Sequence, residues 1–87
     1  MNEAEIRAGV LATLCEVAPE VEPATLATDR LLRRQVDLDS MDWLNVVIGW
    51  HRRFGVEIPE ADYAQLTTLD AIVAYLAPRV AGGTLAP

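Results

Sequence analysis

Lysine is absent from this 87-residue chain, and all seven basic residues are arginines. Thirteen acidic residues outweigh them, so the formal net charge is −6 and the sequence pI is about 4.5. A nucleic-acid binder is expected to carry a basic face, so nucleic acid is excluded as a partner. An anionic membrane surface is disfavoured for the same reason. Cys15 is the only cysteine, which rules out an internal disulfide and a multi-cysteine metal site and suits a small buried apolar role. His51 is the only histidine. No apolar run approaches the length of a membrane span, and the start MNEAEIRAGV lacks the basic and apolar blocks of a signal peptide. The expectation is a cytoplasmic protein with no membrane insertion. Glycine-rich phosphate loops and zinc-ligand spacings are also missing.

What is present is 52% apolar residues, enough to fold, with few aromatics, so the core is expected to be mostly aliphatic. A chain this short makes one modest core, too small to also enclose a polar cleft of ordinary size. One domain is expected over 1–80, with a flexible tail over 81–87. The acidic total suits a protein that meets positively charged enzyme surfaces.

Periodicity predicts an all-α fold. Ile6, Val10, Leu14 and Val17 form one apolar stripe of a helix over 3–18, with Asn2 available as its cap and Pro19 as its stop. Residues 19–39 hold Pro19 and Pro23 and no sustained period, and Leu26, Leu31 and Leu32 are expected to anchor them in the core. Arg30, Arg33 and Arg34 read as solvated loop charge, with contact to a phosphate group as the alternative. A second long helix is predicted from Ser40 to Phe54, stopped by Gly55. A short helix follows at about 60–65. A last one is capped by Thr67 or Thr68, carries Leu69, Ile72, Val73 and Leu76, and is limited by Pro78.

The rest of the chain is organised around VDLDSMDWLNVVIGWHRRF, residues 36–54. Asp39 is a favoured N-cap, Asp42 stands where a capping-box acid would, and both sit at the positive end of the helix. Ser40 is then the first helical residue, where a phosphate ester on its oxygen would meet unpaired N–H groups. Such a string alone is commonly just a cap. Down the helix, Trp43, Leu44, Val46, Val47, Trp50 and Phe54 make a core face. Met41, Asn45, Ile48 and Arg52 run along the opposite side, where two apolar residues beyond an exposed serine suggest docking. Scattered surface apolars are the plainer reading of the same two residues.

Catalysis by Ser40 fails on reach. The sole histidine lies eleven residues along the same helix, a rise of roughly 16 Å, where hydrogen-bond distance is needed. A calcium loop over Asp37–Ile48 fails as well, because Asp42 stands where the turn glycine belongs and Ile48 where the bidentate acid belongs. No catalytic residue and no metal site are expected.

The motif Asp39-Ser40-Met41, a long apolar helix ending in Phe54, the turn Gly55-Val56-Glu57-Ile58-Pro59, a short acidic helix and the opening Thr67-Thr68-Leu69 occur in that order. Together they resemble the acyl carrier protein family, most sharply from Asp37 to Leu76. The resemblance implies a bundle of three longer helices and one short one, with a long first loop. It implies that Ser40 receives 4′-phosphopantetheine from coenzyme A, given by a phosphopantetheinyl transferase that supplies the Mg²⁺. It further implies a non-catalytic monomer whose arm carries acyl groups as thioesters to acyl-loading and acyl-processing enzymes. Asp39, Met41, Asp42, Asn45, Ile48 and Arg52 are its docking candidates, and the space between the helices could shelter an acyl chain. A peptidyl or aminoacyl carrier, or an unloaded interaction domain of the same fold, are the alternatives.

Two features depart from the family pattern. Asp37 stands where a glycine is often found. Asn45, His51 and Arg52 replace acids common in fatty-acid carriers. The segment 40–54 holds two arginines against one aspartate, so it is formally +1 in a −6 protein. A specialised lipid or polyketide-type pathway is expected, since misplaced like charges are a means of rejecting wrong partners.

Overall fold

The computed structural model describes the backbone of residues 1–85 and the side chains of 1–80. Three long helices carry the core: α1 (Glu3–Val17), α3 (Ser40–Phe54) and α4 (Leu69–Leu85). Between the first two lie a 3₁₀ turn, Pro23–Thr25, and a single helical turn, α2 (Leu32–Gln35). A 3₁₀ segment, Glu60–Gln65, precedes α4. The expected bundle of three longer helices and one short one is therefore present, with one helical turn more than the long first loop was expected to hold.

The start of α1 is a reciprocal capping box. The Asn2 side chain accepts from the Glu5 N–H at 2.8 Å, and the Glu5 carboxylate accepts from the Asn2 N–H at 3.1 Å. Ile6, Val10 and Leu14 then turn inward, each 1% exposed or less. They meet Val46, Val47 and Trp50 of α3 and Leu69, Ile72 and Leu76 of α4 in one core. The two tryptophans meet edge to face, with centroids 5.7 Å apart. The indole N–H of Trp50 donates to the Val10 carbonyl at 3.1 Å, which satisfies the polar atom of a fully buried ring.

Two glycines let α1 and α3 approach closely. A Cβ on Gly9 would lie 2.7 Å from the ring edge of Phe54, and one on Gly49 would run into the Thr13 methyl. At this crossing Arg53 donates to the Thr13 hydroxyl at 2.8 Å and to the Glu16 carboxylate at 2.6 Å.

The connection over 18–39 is tied down by backbone bonds. Leu32 N–H donates to the Thr67 carbonyl at 2.9 Å and Asp70 N–H to the Thr28 carbonyl at 3.0 Å. The Gln35 amide adds bonds to both backbone groups of Ala27. Leu32 is buried and Leu26 half-buried, as expected, but Leu31 is 44% exposed. Leu31 forms an isolated bridge with Thr68 and is the residue before α2, whose first residue, Leu32, takes the buried position. Cys15 is half-buried, not fully buried, with its thiol 3.9 Å from the Val21 carbonyl.

Thr68 is the residue that caps α4, accepting from the Ala71 N–H at 2.9 Å. The helix does not stop at Pro78 but carries it inside. Pro78 and Ala74, whose carbonyl loses its partner, both face solvent. One turn along, Arg79 donates to the Tyr75 carbonyl at 2.7 Å. The tail expected over 81–87 meets a helical backbone as far as Leu85, and residues 86–87 lie outside those described. Among the described residues, no helix is long and apolar enough to cross a membrane.

Candidate functional site

Alternation in the approach to α3 fixes which way Ser40 faces. Val36 and Leu38 are 4% and 7% exposed, while Asp37 and Asp39 point to solvent. Two buried anchors in an extended run thus hold the acids between them outside. Asp39, with φ −79° and ψ 179°, is the N-cap. Its carboxylate accepts from the Asp42 N–H at 2.8 Å, and its carbonyl from the Trp43 N–H at 2.9 Å. Ser40 is the first residue of the helix and is exposed. The N–H groups of Ser40 and Met41 have no acceptor within the helix, as at any helix start. One turn on, Trp43 is buried at 8% exposure and anchors the turn from behind.

The other end of α3 is closed by Gly55 in the left-handed region, φ 65°, where its N–H donates to the His51 carbonyl at 2.9 Å. His51 Nδ1 lies 2.8 Å from the Val56 carbonyl oxygen, which can only accept, so Nδ1 donates there. This histidine serves the helix end and stands far from Ser40.

The outward side of α3 carries Met41, 67% exposed, and Ile48, 37% exposed, with Asn45 and Arg52 also in solvent. Asp42 is half-buried and Asp39 exposed at its head. All six docking candidates therefore lie at the head or along one side of this helix. Leu44, assigned above to the core face, is 39% exposed and joins Met41 and Ile48 instead. At 100° per residue it lies about 60° from Val47 and about 60° from Met41, so angle alone does not assign it. No neighbouring element covers that edge, and it falls outward.

Beside the head of α3 a groove of about 470 Å³ opens between α2 and the 60–65 segment. Leu38, Trp43 and Leu66 are its buried wall, and Arg33 and Arg34 are on its rim. Both arginines are exposed, as expected of solvated charge, yet Arg33 is placed. Its guanidinium carbon is 5.4 Å from the Trp43 ring centroid, and one Nη donates to the Leu38 carbonyl at 3.4 Å. A second cleft of about 480 Å³, between α1 and α3, is the notch left by Gly49. It lies down the helix from Ser40, against Thr13 and Arg53, and offers no group to the serine.

The site suits an ester on Ser40. Ser40 is exposed at the positive end of the helix, with unpaired N–H groups in the same turn, and Leu38 and Trp43 on either side of it in sequence line the groove. Among the described residues, no hydrogen bond ties the Ser40 side chain to a histidine or other base, and His51 is at the opposite end of the helix.

Residues 8–76 match the family model described as "Phosphopantetheine attachment site". The chain is 31% identical to the meromycolate extension acyl carrier protein of Mycolicibacterium aurum over 75 residues, 86% of this chain and 76% of that one. It is 29% identical to the protein of the same name from Mycobacterium tuberculosis over 76 residues, 87% of this chain but only 65% of that one. It is 30% identical to an acyl carrier protein of Rhodococcus erythropolis over 70 residues, 77% of each.

Proposed function

The chain belongs to the acyl carrier protein family, whose members are non-catalytic carriers, and from that premise we propose that Ser40 is the residue that bears the phosphopantetheine arm. The observation that carries this reading is the exposed hydroxyl at the first position of α3, held outward by buried residues on either side. The arm, when attached, supplies a terminal thiol for thioester chemistry. Everything else is done by the chain. Val36, Leu38 and Trp43 hold the head of α3 in register. Asp39 keeps the first turn wound, so the serine is offered at a fixed place. Covalent tethering then converts each transfer into a reaction at high effective concentration.

The partners in this reading are a phosphopantetheinyl transferase and the enzymes that load and process the acyl group, met by a monomer in the cytoplasm. They dock on Asp39, Met41, Asp42, Asn45, Ile48 and Arg52, with Leu44 added by its exposure. Two relatives are named for meromycolate extension, and together with the +1 segment 40–54 this favours the acyl group of a specialised lipid pathway as cargo.

Intact mass measurement after incubation with coenzyme A and a carrier transferase tests the proposal. Wild type should gain one arm and Ser40→Ala none, while both melt alike because the side chain is exposed. No gain on wild type, with a transferase that loads a control carrier, would overturn it.

A further inference from the structure

We infer that Arg33 and Arg34 of α2 form an anion subsite for the phosphate ester that the arm places on Ser40, an inference that rests on the carrier reading above. The need for one is electrostatic. Asp37, Asp39 and Asp42 all lie within three positions of Ser40, in a chain of net charge −6. An ester there adds a further negative charge to three carboxylates. The helix end offsets part of this, but Asp39 already occupies the Asp42 N–H.

The nearby positive charge is on α2. Arg33 reaches the Leu38 carbonyl, two residues before Ser40, and lies over Trp43, three residues after it. The guanidinium is therefore beside the turn that bears the hydroxyl. The cation–π contact with the indole and the bond to Leu38 place it while its other N–H groups enter no ion pair, and a planar fork matches phosphate oxygens. Among the described residues the ion pairs involve Arg7 and Arg53, and neither arginine of α2 takes part. Arg34 shares the rim of the same groove. The occupant is thus an anionic ester tethered on the turn beside Arg33, with Arg34 on the rim of the same groove and neither arginine in an ion pair, and charge complementarity selects it.

The experiment is ³¹P NMR of the loaded protein, after intact mass has established loading. An ester held against Arg33 gives a broad line at low salt. The line should narrow at 1 M salt, where screening acts over about 3 Å. It should narrow equally in Arg33→Gln/Arg34→Gln at low salt, and partly in Arg33→Lys, which keeps the charge but loses the fork. The Arg33 Nε–H resonance should shift between unloaded and loaded wild type. A narrow line in wild type at low salt, equal to that of the double variant, overturns the subsite. Absence of loading overturns the carrier reading itself, and the two failures are told apart by mass. The salt series on wild type needs no substitution, so a variant that folds poorly does not blunt the test.

Discussion

The two flanks of α3 are held in different ways. Toward α1 the contact is close and shaped: Gly9 admits Phe54, Gly49 admits Thr13, the buried Trp50 bonds to Val10, and Arg53 ties Thr13 and Glu16 across the crossing. Toward α2 and the 60–65 segment there is a groove. That segment is fastened to α4 by a hydrogen bond of 2.6 Å from the Tyr75 hydroxyl to the Asp62 carboxylate, and α2 is fastened by the Leu32–Thr67 backbone bond. Regions with fewer buried apolar contacts open at lower free energy. A carrier gains from this division. The bonds across the α1 crossing fix the helix that bears the serine, and the groove lies beside its head.

The firm flank breaks at Gly49. Adding a methyl there drives Cβ into the Thr13 side chain, and Thr13 cannot rotate away without losing Arg53. Overpacking costs about 1–3 kcal/mol, against a gain of about 1 kcal/mol for replacing glycine in a helix, so Gly49→Ala should lose up to about 2 kcal/mol in urea melts. Thr13→Ser removes the obstructing methyl and keeps the hydroxyl for Arg53. In that background the sign should reverse, with Gly49→Ala stabilising by up to about 1 kcal/mol. Equal effects in both backgrounds would show that the α1–α3 crossing is not close-packed.

The looser flank is sharpened by pH. Burial first, and then the hydrogen bond to the Asp62 carboxylate, push the Tyr75 hydroxyl above its ordinary range, with Arg79 acting the other way. A raised folded pKa means the folded chain keeps its proton longer than the unfolded one. The stabilisation is therefore fully present below about pH 10, the ordinary tyrosine value, and is lost as pH rises through the folded pKa. Tyr75→Phe should cost about 1 kcal/mol at pH 7 for the lost hydrogen bond. The gap between wild type and variant should close above about pH 10. A gap that stays constant to pH 11 would remove this contact from the account of what holds the 60–65 segment.

Much of this arrangement can be read in the sequence, and the exceptions share a cause. The bounds of α3 follow from local chemistry: Asp39 caps one end and Gly55, at positive φ, closes the other. The inward residues Trp43, Val46, Val47 and Trp50 follow from the helical period. Leu31 and Leu44 were misassigned because their direction depends on tertiary partners, a bridge to Thr68 in one case and an uncovered edge in the other. Pro78 misled in the same manner, since a proline ends a helix only where the orphaned carbonyl has nowhere to go. The placing of Arg33 on Trp43 has no local signal at all, because it joins two elements. Ser40 was legible as a cap-adjacent serine, but the groove beside it was not.

The smallest expected change in stability lies on the outward side of α3, and it separates that side from both flanks. Ile48 is 37% exposed while its neighbour Val47 is 2% exposed, so one step along the chain passes from surface to core. A surface substitution away from caps and buried contacts stays within about 0.5 kcal/mol, so Ile48→Ala should melt with wild type. If Met41, Leu44 and Ile48 are a docking strip, the same change should slow loading by a transferase, and Met41→Ala should slow it further because Met41 is the more exposed and adjoins Ser40. A docking residue acts mainly on complex lifetime, so the loss should appear in KM at constant kcat when chemistry is slow. Unchanged loading by both variants would leave these apolar residues as ordinary surface and place recognition on the charged residues alone.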